Sequence, residues 1–427
     1  MSAPVLFSIV IPTRDRPLLL DRVLTALEAQ TFVDFEVIVS DNPLHVSCAN
    51  VVQPYLRDGR FSYIRPPEPM DMWNHWNFAI EGARGEYVTI FNEKFILRPD
   101  ALEIMAAEIL SKSPDVLTWQ FEIFDSKHAG NGLFFGQYHP KVKPGNPFFY
   151  DPKEELKKRF AFDFPVFSRY EFQRNNYGKI YTGFVRSGVL DEVGRKYCSI
   201  FMPTSPDFTS MAAILNESGR CVDINKSLML LNDVTGMSHG ESTRTSFAAT
   251  RRAVHDLGLD FDEYARSLPV ANFPIGHNNY TAADLELIRS VAPDGFIKSL
   301  NIDLESLAYW AMKDLEQITD FQPGEMENYR KVLEPLLDGM SRQRRVLLDE
   351  HAALCGKGSR SEIYHSGLTP IEELKPGTSP EALAEIHWLD GLAPPRKSVM
   401  ETPLELAEAV DYLHRYNVHA GRLLDLA

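Results

Sequence analysis

Two stretches in the first hundred residues decide the fold: FSIVIPTRDR at 7–16 and GEYVTIFNEK at 85–94. Each begins as a short apolar run, typical of a buried strand, and ends in polar residues. Pro17 and the helical spacing of the apolar residues in 20–27 predict a helix directly after the first stretch. Polar residues at the ends of two such strands predict a ligand site at one edge of a sheet.

The chain up to about residue 120 alternates apolar, β-branched runs with amphipathic helical segments. The runs predicted as strands are 7–11, 35–39, 61–64, 87–91 and 116–121. This alternation is typical of βαβ units and predicts an α/β, Rossmann-like fold with a mostly parallel sheet flanked by helices.

The remainder of the chain is predicted to be less regular and then helical. Residues 121–172 are rich in aromatic residues, Pro and Gly, which predicts long loops over an active site. The elements predicted farther on are a helix at 208–215, a strand at 227–231 and helices at 285–291, 304–318 and 404–413. The predicted domains are 1–245, with halves 1–120 and 121–245, and a mainly helical C-terminal region, 246–427.

Bulk properties exclude several classes of protein. The 427 residues carry a formal net charge of −15, which argues against nucleic acid as the main partner. Four widely spaced cysteines indicate neither a zinc site nor a disulfide framework, and so favour a reducing cytoplasm. No apolar run approaches the roughly 18 to 20 residues of a membrane helix. A lipid-linked substrate would therefore require peripheral contact at the inner membrane face, and the apolar stripes of the C-terminal helices would permit a homo-oligomer.

Two blocks of sequence resemble a known family. SIVIPTRDRPLLLDRVLTALEAQTFVDFEVIVSDN at 8–42 is similar to the opening of the bacterial family 2 glycosyltransferases with a GT-A fold. WNHWNFAIEGARGEYVTIFNEKFILRPDALE at 73–103 resembles their next block, which leads into a metal-binding strand end. The resemblance is close over about residues 5–110 and looser over 175–240. It implies a GT-A domain and a nucleotide-sugar donor.

The donor-binding residues are expected at the ends of the first two strands. Their order in the sequence puts Pro12, Thr13, Arg14 and Asp15 on the same rim as Asp41. Asp41 would accept the N3–H of uracil, a donor that cytosine lacks. The alternative is an Asx turn, because Asp-Asn-Pro at 41–43 is turn chemistry by itself. The resemblance favours the base-binding role.

The third strand end departs from the family pattern. The resemblance implies an Asp-x-Asp that binds Mn²⁺ or Mg²⁺, but this chain has Asn92, Glu93 and Lys94. Glu93 alone would hold a metal weakly. A fixed lysine can instead stabilise the departing diphosphate electrostatically, which makes Lys94 the first candidate. The alternative is a solvated surface lysine. Further candidate donor-binding residues are Arg186, His239 and Arg244.

The general base is expected in the second half of the predicted domain, residues 121–245, which would bind the acceptor. Asp207 follows Pro206 at an apparent helix start, where Asp commonly caps the helix. In the family, an acidic residue at this place commonly serves as base, so the resemblance favours Asp207 over Asp191 and Asp233.

The sequence thus predicts an inverting glycosyltransferase that uses a nucleotide sugar, expected to be a uridine diphosphate sugar, and a glycan or other hydroxyl acceptor. Inversion follows from the resemblance. The alternative is a binding or scaffolding protein that kept the fold and lost catalysis. A nucleotidyltransferase is disfavoured because no Gly-rich phosphate loop follows the first strand.

Overall fold

The computed structural model describes residues 5–128, 134–139, 145–166, 175–234, 243–256, 258–356, 404–411 and 413–414. These residues form a mixed sheet with helices packed on both faces. The strands are β1 (Phe7–Thr13), β2 (Phe35–Asp41), β3 (Phe61–Ile64), β4 (Tyr87–Ile90), β5 (Phe95–Leu97), β6 (Val116–His128), β7 (Phe134–His139), β8 (Phe148–Tyr150), β9 (Gly183–Arg186), β10 (Cys221–Val234) and β11 (Leu404–Glu405). The α-helices are α1 (Pro17–Glu28), α2 (Ala49–Val52), α3 (Met72–Ile80), α4 (Ala101–Lys112), α5 (Pro152–Ala161), α6 (Ser187–Tyr197), α7 (Pro206–Glu217), α8 (Phe247–Asp256), α9 (Phe261–Ser267), α10 (His277–Val291), α11 (Leu304–Leu315), α12 (Glu325–Gly339) and α13 (Arg342–Gly356).

The sheet has a parallel part and an antiparallel part. Its strand order is β11-β7-β6-β9-β4-β1-β2-β3, and β4, β1, β2 and β3 are parallel neighbours joined by helical crossovers. Strand β9 is antiparallel to both β4 and β6, whereas β10 is parallel to β6 and antiparallel to β5 and β8. The predicted fold class is confirmed, and the strictly parallel part lies within residues 7–90.

Strand β1 is buried on both sides, as expected for a central parallel strand. Phe7, Ile9 and Ile11 point into one apolar core, which contains α1 and α4. Val10 points into a second core on the opposite face, which contains α3, α6 and α7. The successive side chains of one strand therefore join two helical layers.

The C-terminal helices pack on the second core and share it. Apolar residues of α10 to α13 belong to the same cluster as those of α6 and α7. Trp310 Nε1 donates to the Phe162 carbonyl at 2.8 Å, and the Arg344 guanidinium bonds Asp163 at 2.7 Å and Asp303 at 2.9 Å. Among the described residues, no helix is long and apolar enough to cross a membrane. The division near residue 246 and a homo-oligomer stay predictions.

The prediction of long loops over 121–172 was wrong for most of that stretch. Strand β6 continues to His128, and β7, β8 and α5 follow it. Residues 116–124 of β6 are all buried, and residues 117–123 alternate apolar with polar side chains, a strand pattern that continues past the predicted end at 121. The start of α5 did carry a signal, because the Asp151 carboxylate caps Lys153 N at 2.8 Å and Pro152 follows it.

Other predicted elements exist with different bounds. The predicted strand at 227–231 is the middle of β10, and the helix at 285–291 is the end of α10. The helix predicted at 404–413 was wrong at its start, because Leu404–Glu405 pairs with β7 as β11 and helix follows at 406–411. Pairing with an edge strand overrides the local helical spacing there.

Candidate active site

The carboxyl ends of β1, β2 and β4 lie side by side. In the parallel register Thr13 pairs with Asp41, and Val10 pairs with Ile90. Chain segments that leave three adjacent parallel strands at the same edge form a crevice there. The structure thereby brings together the following predicted residues: Pro12, Thr13, Arg14, Asp15, Asp41, Asn92, Glu93 and Lys94.

Asp41 has one satisfied and one unsatisfied carboxylate oxygen. Its side chain is fully buried. Oδ2 accepts hydrogen bonds from Ser47 Oγ, Cys48 N and Tyr63 OH, each at 2.8 Å. Oδ1 is buried with no hydrogen-bond partner among the described residues. A buried carboxylate oxygen without a donor is costly, so the site is suited to a ligand that brings an N–H.

Arg14 and His75 contact the chain neighbours of Asp41: His75 contacts the residue before it on β2, and Arg14 contacts the residue after it. Arg14 Nε donates to the Asn42 carbonyl at 3.1 Å, and the Asn42 amide exchanges hydrogen bonds of 2.8 and 3.0 Å with the Met70 backbone. Burial lowers the pKa of His75 to about 4, and the Arg14 guanidinium contributes to this shift. His75 is therefore neutral near pH 7, and Arg14 is a cation at this part of the crevice.

Asp15 shapes the loop after β2. Its backbone is left-handed, with φ of 56°, a conformation that Asp tolerates better than most residues. Its Oδ1 accepts hydrogen bonds from the amides of Leu44, His45 and Val46 at 2.9 to 3.0 Å. The carboxylate already bonds these backbone amides, so the contribution of Asp15 to a donor site would be to hold the loop that follows Asp41.

The Asn92–Lys94 segment is held by its own side chains. Asn92 Oδ1 accepts from Lys94 N at 2.8 Å, and Asn92 Nδ2 donates to the hydroxyl of Tyr181. Glu93 Oε1 forms an ion pair of 3.1 Å with Arg16. The Lys94 side chain is only 7% exposed, which rules out the alternative of a solvated surface lysine.

These residues do not fit a divalent metal. Mn²⁺ and Mg²⁺ require several oxygen ligands, with carboxylates foremost. Here the amide of Asn92 is committed to two partners, the carboxylate of Glu93 is paired with a guanidinium, and Lys94 adds positive charge. Within the described residues, no group of three or more His, Cys, Asp or Glu side chains could hold a metal ion.

Asp207 lies in the first turn of α7 and pairs with a buried lysine. The N-cap of α7 is Ser205, so the interpretation of Asp207 as a cap was wrong. Its Oδ2 accepts from Lys179 Nζ at 3.1 Å, and its side chain is 26% exposed. Asp191 is exposed in α6, and Asp233 lies near the end of β10. For Asp207, the described residues show pairing with a buried ammonium.

Two further predicted residues, Arg186 and Arg244, have partners away from the strand ends of this edge. Arg186 pairs with Tyr87 at the start of β4 and donates to its hydroxyl at 2.6 Å, so the length of β4, roughly 10 Å, separates it from the crevice. Arg244 lies near Asp314 of α11, whose charged form it favours. His239 lies outside the described residues.

The sequence analysis missed five residues around the site: Arg16, Tyr63, His75, Lys179 and Tyr181. Tyr63 follows the rule that selected Asp41, because it lies near the end of the next parallel strand. Lys179 and Tyr181 lie far along the chain and precede β9, a short antiparallel strand that the sequence pattern did not reveal. Their contacts depend on the placement of that strand.

Comparison with known proteins gives a family match and several similar solved structures. The family described as Glycosyl transferase family 2 matches residues 8–163. Among solved structures, S. aureus TarS 1-349 is 16% identical, with 85% of this chain and 94% of that chain covered and a TM-score of 0.40. Its complex with UDP-GlcNAc is 14% identical, with 82% of this chain and 91% of that chain covered and a TM-score of 0.42. Its complex with UDP is 16% identical, with 79% of this chain and 93% of that chain covered and a TM-score of 0.43. The family match shows that residues 8–163 form a family 2 glycosyltransferase domain.

Proposed function

We propose that this protein transfers a sugar from a uridine diphosphate sugar to a hydroxyl of a glycan or lipid-linked acceptor, with inversion and without a metal ion. The observation that carries the proposal is the unsatisfied Oδ1 of Asp41 at the end of β2. Uracil presents an N3–H that would satisfy this oxygen, whereas cytosine presents an acceptor. Asp41 would therefore select uridine.

The diphosphate is assigned to the cationic side of the crevice. The cations at this edge are Arg14 and Arg16, which follow the end of β1, and Lys94, which lies between β4 and β5. Lys94 occupies the position at which the family pattern has an acidic residue. Fixed cations in a site that excludes water stabilise a departing diphosphate without reorganisation. They supply the charge that a metal would otherwise provide.

Asp207 is assigned as the general base of a single displacement. It takes the proton of the acceptor hydroxyl as the oxygen attacks the anomeric carbon, and the bond between that carbon and the diphosphate oxygen breaks with its electron pair on the diphosphate. Attack opposite the leaving group inverts the anomeric centre. The ion pair with Lys179 supports this role because it holds the carboxylate in a defined position.

The acceptor is assigned to the face that α5 and α10 share. A cavity of about 290 Å³ lies there, lined by residues that include Arg159, Phe164, Asn175 and Leu285. Burial lowers the pKa of Lys179, the neighbouring Asp207 opposes the shift, and Arg159 adds to it. Arg159 therefore links the cavity to the Lys179–Asp207 pair. Aromatic and amide side chains suit the faces and hydroxyls of a sugar.

Binding and turnover of donors test the proposal. The purified protein is titrated with UDP, CDP, GDP and ADP, and then incubated with UDP-glucose, UDP-galactose and UDP-N-acetylglucosamine while UDP release is measured. We expect UDP to bind more tightly than CDP and at least one UDP-sugar to be hydrolysed slowly with water as acceptor. Binding of none of the four nucleotides would contradict the proposal.

A further inference from the structure

The turn at 179–181 contacts both halves of the proposed site. Lys179 Nζ donates to Asp207 Oδ2 at 3.1 Å, and two residues later the Tyr181 hydroxyl accepts from the amide of Asn92. Between them, the Ile180 carbonyl accepts from Thr89 Oγ1 at 2.8 Å. Thr89 belongs to β4, the strand that leads to Asn92. This short turn therefore bonds to three places: the proposed general base Asp207, Asn92 of the Asn92–Lys94 segment, and strand β4.

Lys179 is buried and has a defined position. It is 7% exposed, and its Nζ lies 3.8 Å from the centroid of the Phe208 ring. Gly183 keeps the backbone of the turn close to β9, because a Cβ there would meet the Lys179 carbonyl at 2.8 Å. A buried ammonium requires a partner of opposite charge. Lys179 and Asp207 therefore constrain each other.

Tyr181 is constrained on the donor side. Its ring is stacked on Trp76, with centroids 5.8 Å apart, and meets Phe95 edge-on at 5.3 Å. Burial raises the pKa of Tyr181, and the carboxylates of Glu93 and Asp207 raise it further. The hydroxyl therefore stays protonated and lies within the electrostatic reach of both carboxylates.

We propose that Lys179 and Tyr181 act as one unit of positioning residues, which holds the Asp207 carboxylate at a fixed distance from the Asn92–Lys94 segment. The inference rests on the proposed function. A base transfers protons efficiently only within hydrogen-bond reach of the attacking hydroxyl, and the donor carbon must lie at the matching place. The turn fixes both ends of this geometry through the contacts of two side chains.

Turnover of the best UDP-sugar donor with water as acceptor tests the inference, with UDP affinity measured separately by calorimetry. Lys179→Met should lower kcat by roughly tenfold or more, with the Kd for UDP changed less than about twofold. Lys179→Arg, which keeps the charge, should restore most of kcat. Lys196→Met is the matched control: it removes another ion-paired lysine, whose partners are Glu217 and Asp294, and should leave kcat unchanged.

Tyr181→Phe provides an independent test, because it keeps the ring and removes only the hydroxyl. We expect kcat to fall severalfold while the melting temperature stays within about 2 °C. The double variant Lys179→Met with Tyr181→Phe should be about as slow as the slower single variant, because residues that act as a unit are not additive.

If the kcat losses of the two single variants multiply in the double variant, the inference is overturned. Wild-type kcat in Tyr181→Phe would overturn it as well, a result that decides the question even if Lys179→Met fails to fold. If the unmodified protein hydrolyses a UDP-sugar and Lys179→Met does so equally well, the inference alone fails. If the unmodified protein neither binds UDP nor hydrolyses any UDP-sugar, the proposed function fails.

Discussion

The ends of β2 and β4 lie at the same edge of the sheet but are built differently. At the end of β2, Asp41 combines three donors on one oxygen with an unsatisfied second oxygen. At the end of β4, Asn92 and Glu93 are engaged by protein partners and the buried side chain of Lys94 follows. The first end offers a buried acceptor to a hydrogen-bond donor, and the second is the proposed place of the diphosphate.

This difference teaches that the two parts of a nucleotide can be recognised by separately variable parts of one fold. A base is recognised by directional hydrogen bonds, so the residue at β2 must keep its type and its position. A diphosphate is recognised mainly by charge, which a metal or a fixed cation can supply. Separate substitutions should therefore weaken recognition of the base or of the diphosphate one at a time.

The largest expected effect is at Asp207, which belongs to neither strand end and is the proposed base for the acceptor hydroxyl. Asp207→Asn should reduce turnover by roughly a hundredfold or more because Asn cannot take a proton. It retains an acceptor for Lys179, so the fold and the Kd for UDP should be unchanged. UDP release and circular dichroism check this, and turnover at the wild-type rate would remove Asp207 from the mechanism.

Lys94→Met should affect only the diphosphate end. Loss of a charge-assisted contact should weaken UDP binding by about 1.5 to 3 kcal/mol, whereas uridine, which has no phosphate, should bind as before. Lys94→Arg keeps the charge and is the matched control. Calorimetric titration with both ligands decides the assignment, and equal weakening of UDP and uridine would show that Lys94 acts on the pocket as a whole.

Asp41→Asn should affect only the base end. We expect UDP and uridine to lose similar affinity, about 1 to 3 kcal/mol, because an amide N–H can face the N3–H of uracil. The preference for UDP over CDP should shrink at the same time. Competition between the two nucleotides measures this, and an unchanged preference would favour the Asx-turn alternative.

A separate effect, on the free energy of unfolding and not on binding or turnover, is expected at Asp284 of α10, which anchors the loop before α7. Burial, with a contribution from Asp207, raises its pKa to about 8, although Thr204 and Ser205 donate to it. Well below pH 4, Asp284 is protonated in both the folded and the unfolded state. As the pH rises from 4 to 8, the unfolded chain ionises first, so the free energy of unfolding falls by up to about 1.4 kcal/mol per pH unit.

Asp284→Asn should flatten this pH dependence. The measurement is urea unfolding at pH 5, 6, 7 and 8. Asp294→Asn is the control, because the Asp294 side chain is 67% exposed. Parallel curves for the wild-type protein and Asp284→Asn would show that Asp284 ionises normally in the folded state.

The local sequence was sufficient for the parallel part of the molecule. Strand Phe61–Ile64 was predicted with its observed bounds, and β1, β2 and β4 were predicted to within a few residues. Hydrophobic runs, short connections and strand-end polar residues are local signals, and parallel neighbours meet at one edge by geometry. The rim from Pro12 to Asp15 and the position of Asp41 follow from these rules alone.

The rest of the site depends on contacts between distant segments. Arg186 was predicted near the donor, but β9 runs antiparallel to β4 and places it at the other end. Lys179 and Tyr181 reach the site because of the same strand. Antiparallel strands inserted into a parallel sheet leave no local signal of their partner, so neither the error nor the omission could have been corrected from spacing.

The central claim is that protein cations replace the metal at the end of β4. The most direct test is calorimetric titration of the protein with UDP in excess EDTA and then in Mn²⁺. We predict the same Kd in both, while Lys94→Asp, which adds a carboxylate beside Glu93, should bind UDP more tightly in Mn²⁺ than in EDTA. Loss of UDP binding by the unmodified protein in EDTA, with recovery in Mn²⁺, would contradict the claim and assign Glu93 as a metal ligand.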